Sequence, residues 1–282
     1  MLQIAKCNNF KMGADNNVVD MRLRLTIRVS QNDLSFSVGS ATENAQIVYE
    51  PYNTNKGISI AANLRKAFAV SELLQSGYKR TLILVDTPVM LIPTEECQEN
   101  EAKVLYKSSF TLKGNEEVVT TVLPDLNAVA VMTINNDLKL VIDDHFKEVR
   151  IEPLMQPVWV HLHQRSYQNP RRKLFAYFHE HTMEVVSFQQ NRFKYNNAFD
   201  ATYAQDALYY LLFVWRELGM NVEKDELHLV GKAVEQEWLE GELKKFLHRI
   251  YVEIPEKEFR NGEVALHKNI PYDLKALYLS KV

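Results

Sequence analysis

A chain of 282 residues that is 46% hydrophobic and 24% charged, with only 9 Gly and 9 Pro, has the composition of a globular protein able to bury a core, in two ordinary subdomains or one large domain. Its net charge of −3 leaves no whole-chain electrostatic footprint for nucleic acid, and no run approaches the ~18 apolar residues of a membrane-spanning helix. The two cysteines, Cys7 and Cys97, fit neither a disulfide framework nor a zinc pattern, so a soluble cytoplasmic protein is the expectation.

Residues 1–20 read as an N-terminal tail, and three short strands follow at 22–30, 34–39 and 45–50. Leu23, Leu25, Ile27 and Val29 share one face in a period of two, as do Leu34, Phe36 and Val38 after the Gln31-Asn32-Asp33 turn. A helix is expected over 58–75, burying Ala61, Leu64, Ala67, Phe68 and Leu74, with Gly77 as its stop. "TLILVDT" is a continuous apolar run closed by Asp86 and Pro88, which predicts a fully buried strand. Residues 88–122 look like an insertion with a short strand at 90–92, a helix from Thr94 and an edge strand near 118–122. "LNAVAVMTI" is the next buried strand, leading into a helix with Asn135 or Asn136 as cap and Leu138, Ile142 and Phe146 inward. "EVRIE" is another strand, ending a first subdomain over 21–152, and 153–171 form a connecting helix and linker.

From residue 172 the order begins again, giving a second subdomain over 172–282. "KLFAYFHEH" and "MEVVSFQQ" form a hairpin and "RFKYNNAF" a third strand. A helix over 200–218, with Asp200 as cap and Gly219 as stop, buries Ala204, Leu208, Leu211, Leu212, Trp215 and Leu218. "ELHLVG" is a buried strand, 232–247 a helix, and "RIYVEI" a last strand. Each half reads βββαβαβ, a repeat of element order more than of amino acids.

That order, done twice, resembles the actin-like ATPase fold, an α/β architecture of tandem ribonuclease H-like subdomains with mixed sheets and a nucleotide between them. More closely, "LRLTIRVSQNDLSFSV" and "DALYYLLFVWRELGM…LHLVG" look like an uncharacterised family of Bacteroidetes proteins that shares this fold, over roughly residues 20–255. Actin-like ATPases carry Asp-x-Gly on the first strand of each half, the glycine for close backbone approach to phosphate and the Asp for the Mg²⁺ shell. The corresponding residues here are Arg28-Val29-Ser30 and Tyr177-Phe178-His179, which keep neither the Asp nor the Gly. The adenosine signature, strand–Gly–Gly–helix, becomes "LVGKAV": Gly231 stays and Lys232 replaces the second glycine. Asn135 stands where such ATPases often keep a water-positioning group, although capping explains it equally well. Phosphoryl transfer is positioning and electrostatics around a metal-bound triphosphate, so the resemblance implies the scaffold without the catalysis. A ribonuclease H-type nuclease likewise needs first-strand acids to hold two metals.

Other constellations are weaker. His161-x-His163 and His179-x-His181 have the i, i+2 spacing of a metal pair on a strand, but no HExxH or cysteine partner accompanies them, and on a helix the first pair diverges. "RSYQNPRRK" places four cations in nine residues, which suits a solvated linker better than a nucleic-acid contact. Tyr209, Phe213 and Arg216 fall off the main stripe of their helix and offer a second face for an interface, a homodimer included. The expectation is therefore a non-catalytic actin-like protein that binds another protein, with no cofactor, no metal and no catalytic residue. Its cleft would be lined by Arg28, Ser30, Gln31, Asn32, Asn135, Tyr177, His179, Gly231 and Lys232. The rival expectation is a divergent ATP-dependent kinase or ATPase in which Arg28, Lys232 and Asn135 supply replacement contacts.

Overall fold

The computed structural model describes residues 24–30, 33–39, 47–167, 170–189, 192–253, 258–259 and 269–279. The tail at 1–20 and the turn residues Gln31 and Asn32 lie outside them. In chain order the first half runs β1 (Arg24–Val29), β2 (Leu34–Gly39), β3 (Ile47–Tyr52), α1 (Ile60–Ala67), α2 (Glu72–Gln75), β4 (Arg80–Val85), β5 (Val89–Pro93), α3 (Glu99–Ser109), β6 (Glu116–Leu123), β7 (Ala128–Asn135), α4 (Asn136–His145) and β8 (Glu148–Pro153). The second runs α5 (Gln156–Ser166), β9 (Lys173–His179), β10 (Thr182–Gln189), β11 (Arg192–Asp200), α6 (Ala204–Glu217), β12 (Glu226–Gly231), α7 (Gln236–Leu243) and β13 (Ile250–Glu253), and a last helix α8 covers Tyr272–Leu279. Two units form: residues 1–157 with 261–282, and residues 158–260.

The first unit's main sheet has the order β3-β2-β1-β4-β8 and the second unit's β11-β10-β9-β12-β13, one strand order built twice. In each, the three opening strands pair antiparallel and the remaining pairings are parallel. The parallel strands need crossovers, and α4 and α7 supply them on the side that α1 and α6 also cover. Alternation then sorts the side chains. Leu25, Ile27, Val29, Leu34, Phe36 and Val38 meet Leu64, Leu138 and Ile142 in one core. Leu174, Ala176, Leu227 and Leu229 meet Leu211, Trp215 and Leu239 in the other.

Several elements differ from the sequence reading. The helix expected over 58–75 is two helices, because Ser71 starts a new one: its hydroxyl accepts from Leu74 N–H and donates to the Glu50 carboxylate at 3.0 Å. The strand "LNAVAVMTI" does not enter the main sheet. As β7 it is the centre of a separate three-stranded sheet, β5-β7-β6, so the inserted piece extends beyond 122 to Asn135. Val131 faces Ala102 and Tyr106 of α3, and Ile134 joins the core under α1 and α4. A strand covered on both faces looks the same in either sheet. Asp200 does not cap α6; its carboxylate accepts from Thr202 N–H at 2.8 Å and the helix begins four residues on.

The largest difference concerns residues 272–279, expected with the second subdomain. As α8 they pack on the first unit's sheet, where Leu274 and Tyr278 meet Ile47, Leu82 and Leu84. The connecting helix starts at Gln156, and from Val158 onward belongs to the second unit.

Candidate functional site

Alternation leaves each main sheet a second, more polar face, and most residues singled out from the sequence sit there or at its strand ends. In the first unit this face carries Thr26 and Arg28 of β1 and Ser35 and Ser37 of β2, all buried. Arg28 is 6% exposed and its charge meets Asp273 of α8, which is 1% exposed. Nε donates to both carboxylate oxygens at 3.1 Å and Nη2 lies 3.0 Å from Oδ2, a bidentate pairing. Tyr278, one turn further along α8, donates its hydroxyl to Thr26 Oγ1 at 2.9 Å and lies 3.1 Å from Ser37 Oγ. Burial pushes that phenol's pKa up.

Ser30 closes the first hairpin: its N–H donates to the Asp33 carbonyl at 2.9 Å and its hydroxyl accepts from Asp33 N–H at 3.2 Å. Asn135 caps α4, accepting from Leu138 N–H at 3.1 Å through Oδ1 and donating to the Asn115 carbonyl through Nδ2 at 3.2 Å.

In the second unit Tyr177 is buried, and its ring stacks on His179 at 5.1 Å between centroids and 18° between planes. Gly231 ends β12 with φ of +81°, and a Cβ there would lie 2.3 Å from the Phe178 carbonyl oxygen. The glycine is required by β9 itself, with which β12 pairs in parallel. Lys232, the next residue, is exposed.

The cations of the run 165–173 are engaged with other groups rather than freely solvated. Arg165 pairs with Glu253 at 2.8 Å and with Glu258, which also accepts from His161. Arg171 pairs with Glu226 at 3.1 Å. Arg172 donates to the Leu218 and Gly219 carbonyls at the end of α6, at 2.8 and 3.0 Å. Lys173 is 4% exposed and donates to the Ser166 carbonyl. His228 bridges Glu253 and Glu226, at 2.6 and 3.3 Å, with the Tyr251 ring stacked over it.

Burial alone would raise the Glu253 carboxyl, but the His228 bond and the Arg165 guanidinium outweigh it and hold the pKa at about 2. Burial lowers the Lys173 ammonium, opposed by Glu226. A cavity of about 240 Å³ opens among Arg165, Arg171, Lys173, Glu226, His228 and Tyr251. Among the described residues, the cations Arg165, Arg171 and Lys173 stand beside the carboxylates Glu226, Glu253 and Glu258.

The acids of this cluster escaped the sequence reading, although "ELHLVG" carries a signal: Glu226 and His228 alternate with Leu227 and Leu229 and so share one face. Asp273 has no such signal, since its partner is 245 residues away. His161 and His163, both on α5, do not converge: the first meets Glu258 and the second lies 3.0 Å from the Tyr167 hydroxyl. Among the described residues no three His, Cys, Asp or Glu side chains are grouped so as to hold a metal ion, and no helix is long and apolar enough to cross a membrane.

No curated protein matches the sequence. A crystal structure from Bacteroides thetaiotaomicron, of a protein with actin-like ATPase fold and unknown function, is similar at TM-score 0.80 and 27% identity over 92% of this chain and 98% of that one. A chain of the PilM-PilN type IV pilus biogenesis complex is similar at TM-score 0.53 and 14% identity over 91% and 97%, a likeness of fold alone. Residues 18–250 match the family described as Protein of unknown function (DUF3822). With the strand order 3-2-1-4-5 built twice and that match spanning most of its length, the chain belongs to the DUF3822 family and has the actin-like ATPase fold.

Proposed function

We propose that this protein is a non-catalytic member of the actin-like fold that works in the cytoplasm by binding another protein. The observation that carries the reading is the Arg28–Asp273 pair. Where nucleotide-using members of the fold present an acid to magnesium and a glycine to phosphate, this chain presents a cation, and that cation is consumed by a buried carboxylate. The second half supports it. Tyr177 and His179 fill the matching strand end with stacked rings, and Gly231 answers to the Phe178 carbonyl rather than to a base. Of the three residues a divergent ATPase would call on, Asn135 is a helix cap and Arg28 is paired, which leaves Lys232. The fold also occurs in a chain of the PilM-PilN complex, so it serves in at least one protein assembly.

The test is thermal unfolding with and without millimolar Mg²⁺ and ATP. A ligand held only by the folded state raises the melting temperature by mass action, so a scaffold shows no shift. A clear rise that Lys232→Glu abolishes would overturn the reading in favour of a divergent kinase or ATPase.

A further inference from the structure

The insertion around β5, β6 and β7 carries an apolar surface that the ribonuclease H-like sheets do not use. On its inner side α3 seats Ala102 and Tyr106 against Val118 and Val131, and the Tyr106 hydroxyl donates to the Pro88 carbonyl at 2.8 Å. Those contacts account for one face of the helix. Its other face presents Glu101, Val104, Leu105 and Ser108, which stand at i, i+3, i+4 and i+7 and line a groove of about 680 Å³ together with Ile92 and Glu96. Val104 and Leu105 are 68% and 51% exposed. Single exposed apolar residues are ordinary, but Val104 and Leu105 stand side by side on the lining of an open groove, an apolar surface with room for a partner's side chains.

The groove's charge selects among occupants. Among the described residues no lysine or arginine lines it, and Glu96 and Glu101 stand in its wall. Neither makes an ion pair among the described residues, whereas the nearby Glu99 is held by Lys103 at 2.9 Å. A volume in the range of ordinary ligand sites accommodates several side chains of a peptide, and an acidic rim favours cations beside them. A second copy would bring a chain of net charge −3 to that rim.

We propose, on the strength of the protein-binding reading above, that this groove docks a short segment of a partner protein in which apolar residues stand beside lysine or arginine. The experiment places a photo-crosslinking benzoylphenylalanine at Val104 of the full chain, expressed in its own cells, and maps the adduct by mass spectrometry. A matched chain carries the crosslinker at Tyr209, which is 63% exposed on α6 of the other unit. The expected result is an adduct at Val104 within an apolar, Lys- or Arg-bearing segment of another protein. Its yield should fall at least about fivefold in the E96K/E101K double variant with the melting temperature unchanged, since both carboxylates lie at the rim. An adduct to a second copy, to an acidic segment, or with a yield indifferent to the charge reversal overturns the proposal. An adduct at Tyr209 alone overturns this surface and leaves the protein-binding reading standing. No adduct at either position sinks both.

Discussion

The two main sheets share a strand order and differ in how their polar faces are sealed. In the first, α8 lays one Arg–Asp pair and a tyrosine hydroxyl over threonine and serine side chains. In the second, α5 and Arg171 enter a chain of hydrogen bonds and ion pairs that runs from His161 through Glu258, Arg165, Glu253, His228 and Glu226 to Arg171. The β4 and β12 ends differ as well. Val85 pairs with Val29 where Gly231 pairs with Phe178, and only the glycine carries a left-handed backbone. A fold inherited twice can thus be closed by one concentrated contact or by a distributed network.

That contrast can be broken most sharply at Asp273. Asp273→Ala removes the carboxylate that meets the buried Arg28 guanidinium and should cost about 3–5 kcal/mol in urea unfolding, whereas replacing both partners with Leu and Met should cost far less. If the single change costs under about 1 kcal/mol, the first face is not held by this pair.

Next comes Gly231→Ala, which puts a Cβ against the Phe178 carbonyl at positive φ. It should cost about 2–3 kcal/mol by the same measurement, as strained backbone does. A neutral outcome would mean that β12 shifts freely against β9.

The charge network should show itself in acid. Glu253 has its folded pKa depressed to about 2 from 4.5, so its stabilisation is complete above about pH 4.5 and fades as pH falls toward 2. The loss should be on the order of 2 kcal/mol across that window, and Glu253→Gln should flatten it. An unchanged acid profile in that variant would remove Glu253 from the network's energetics. The smallest effect belongs to a local contact: Asn135→Ala should cost about 1 kcal/mol through the lost cap, and Asn135→Ser should restore most of it.

What could be read in advance follows the range of each interaction. The alternation in "LRLTIRV", "LSFSV" and "ELHLVG" defined strands, faces and their order, because a buried face imposes a period of two on neighbouring residues. The Asn135 cap was equally accessible, since it spans three residues. The same local view took the cations of 165–173 for a solvated linker, because their composition is polar and their carboxylate partners lie tens of residues away.

By itself, then, the chain's sequence determined two βββαβαβ halves and their apolar cores. Only the tertiary structure decided that β7 leaves the main sheet, that α8 docks on the first unit and that Asp273 takes the charge of Arg28. The reason is physical. Periodicity records that a side chain is buried, while the partner that buries it is chosen by packing between segments whose separation in the chain carries no pattern.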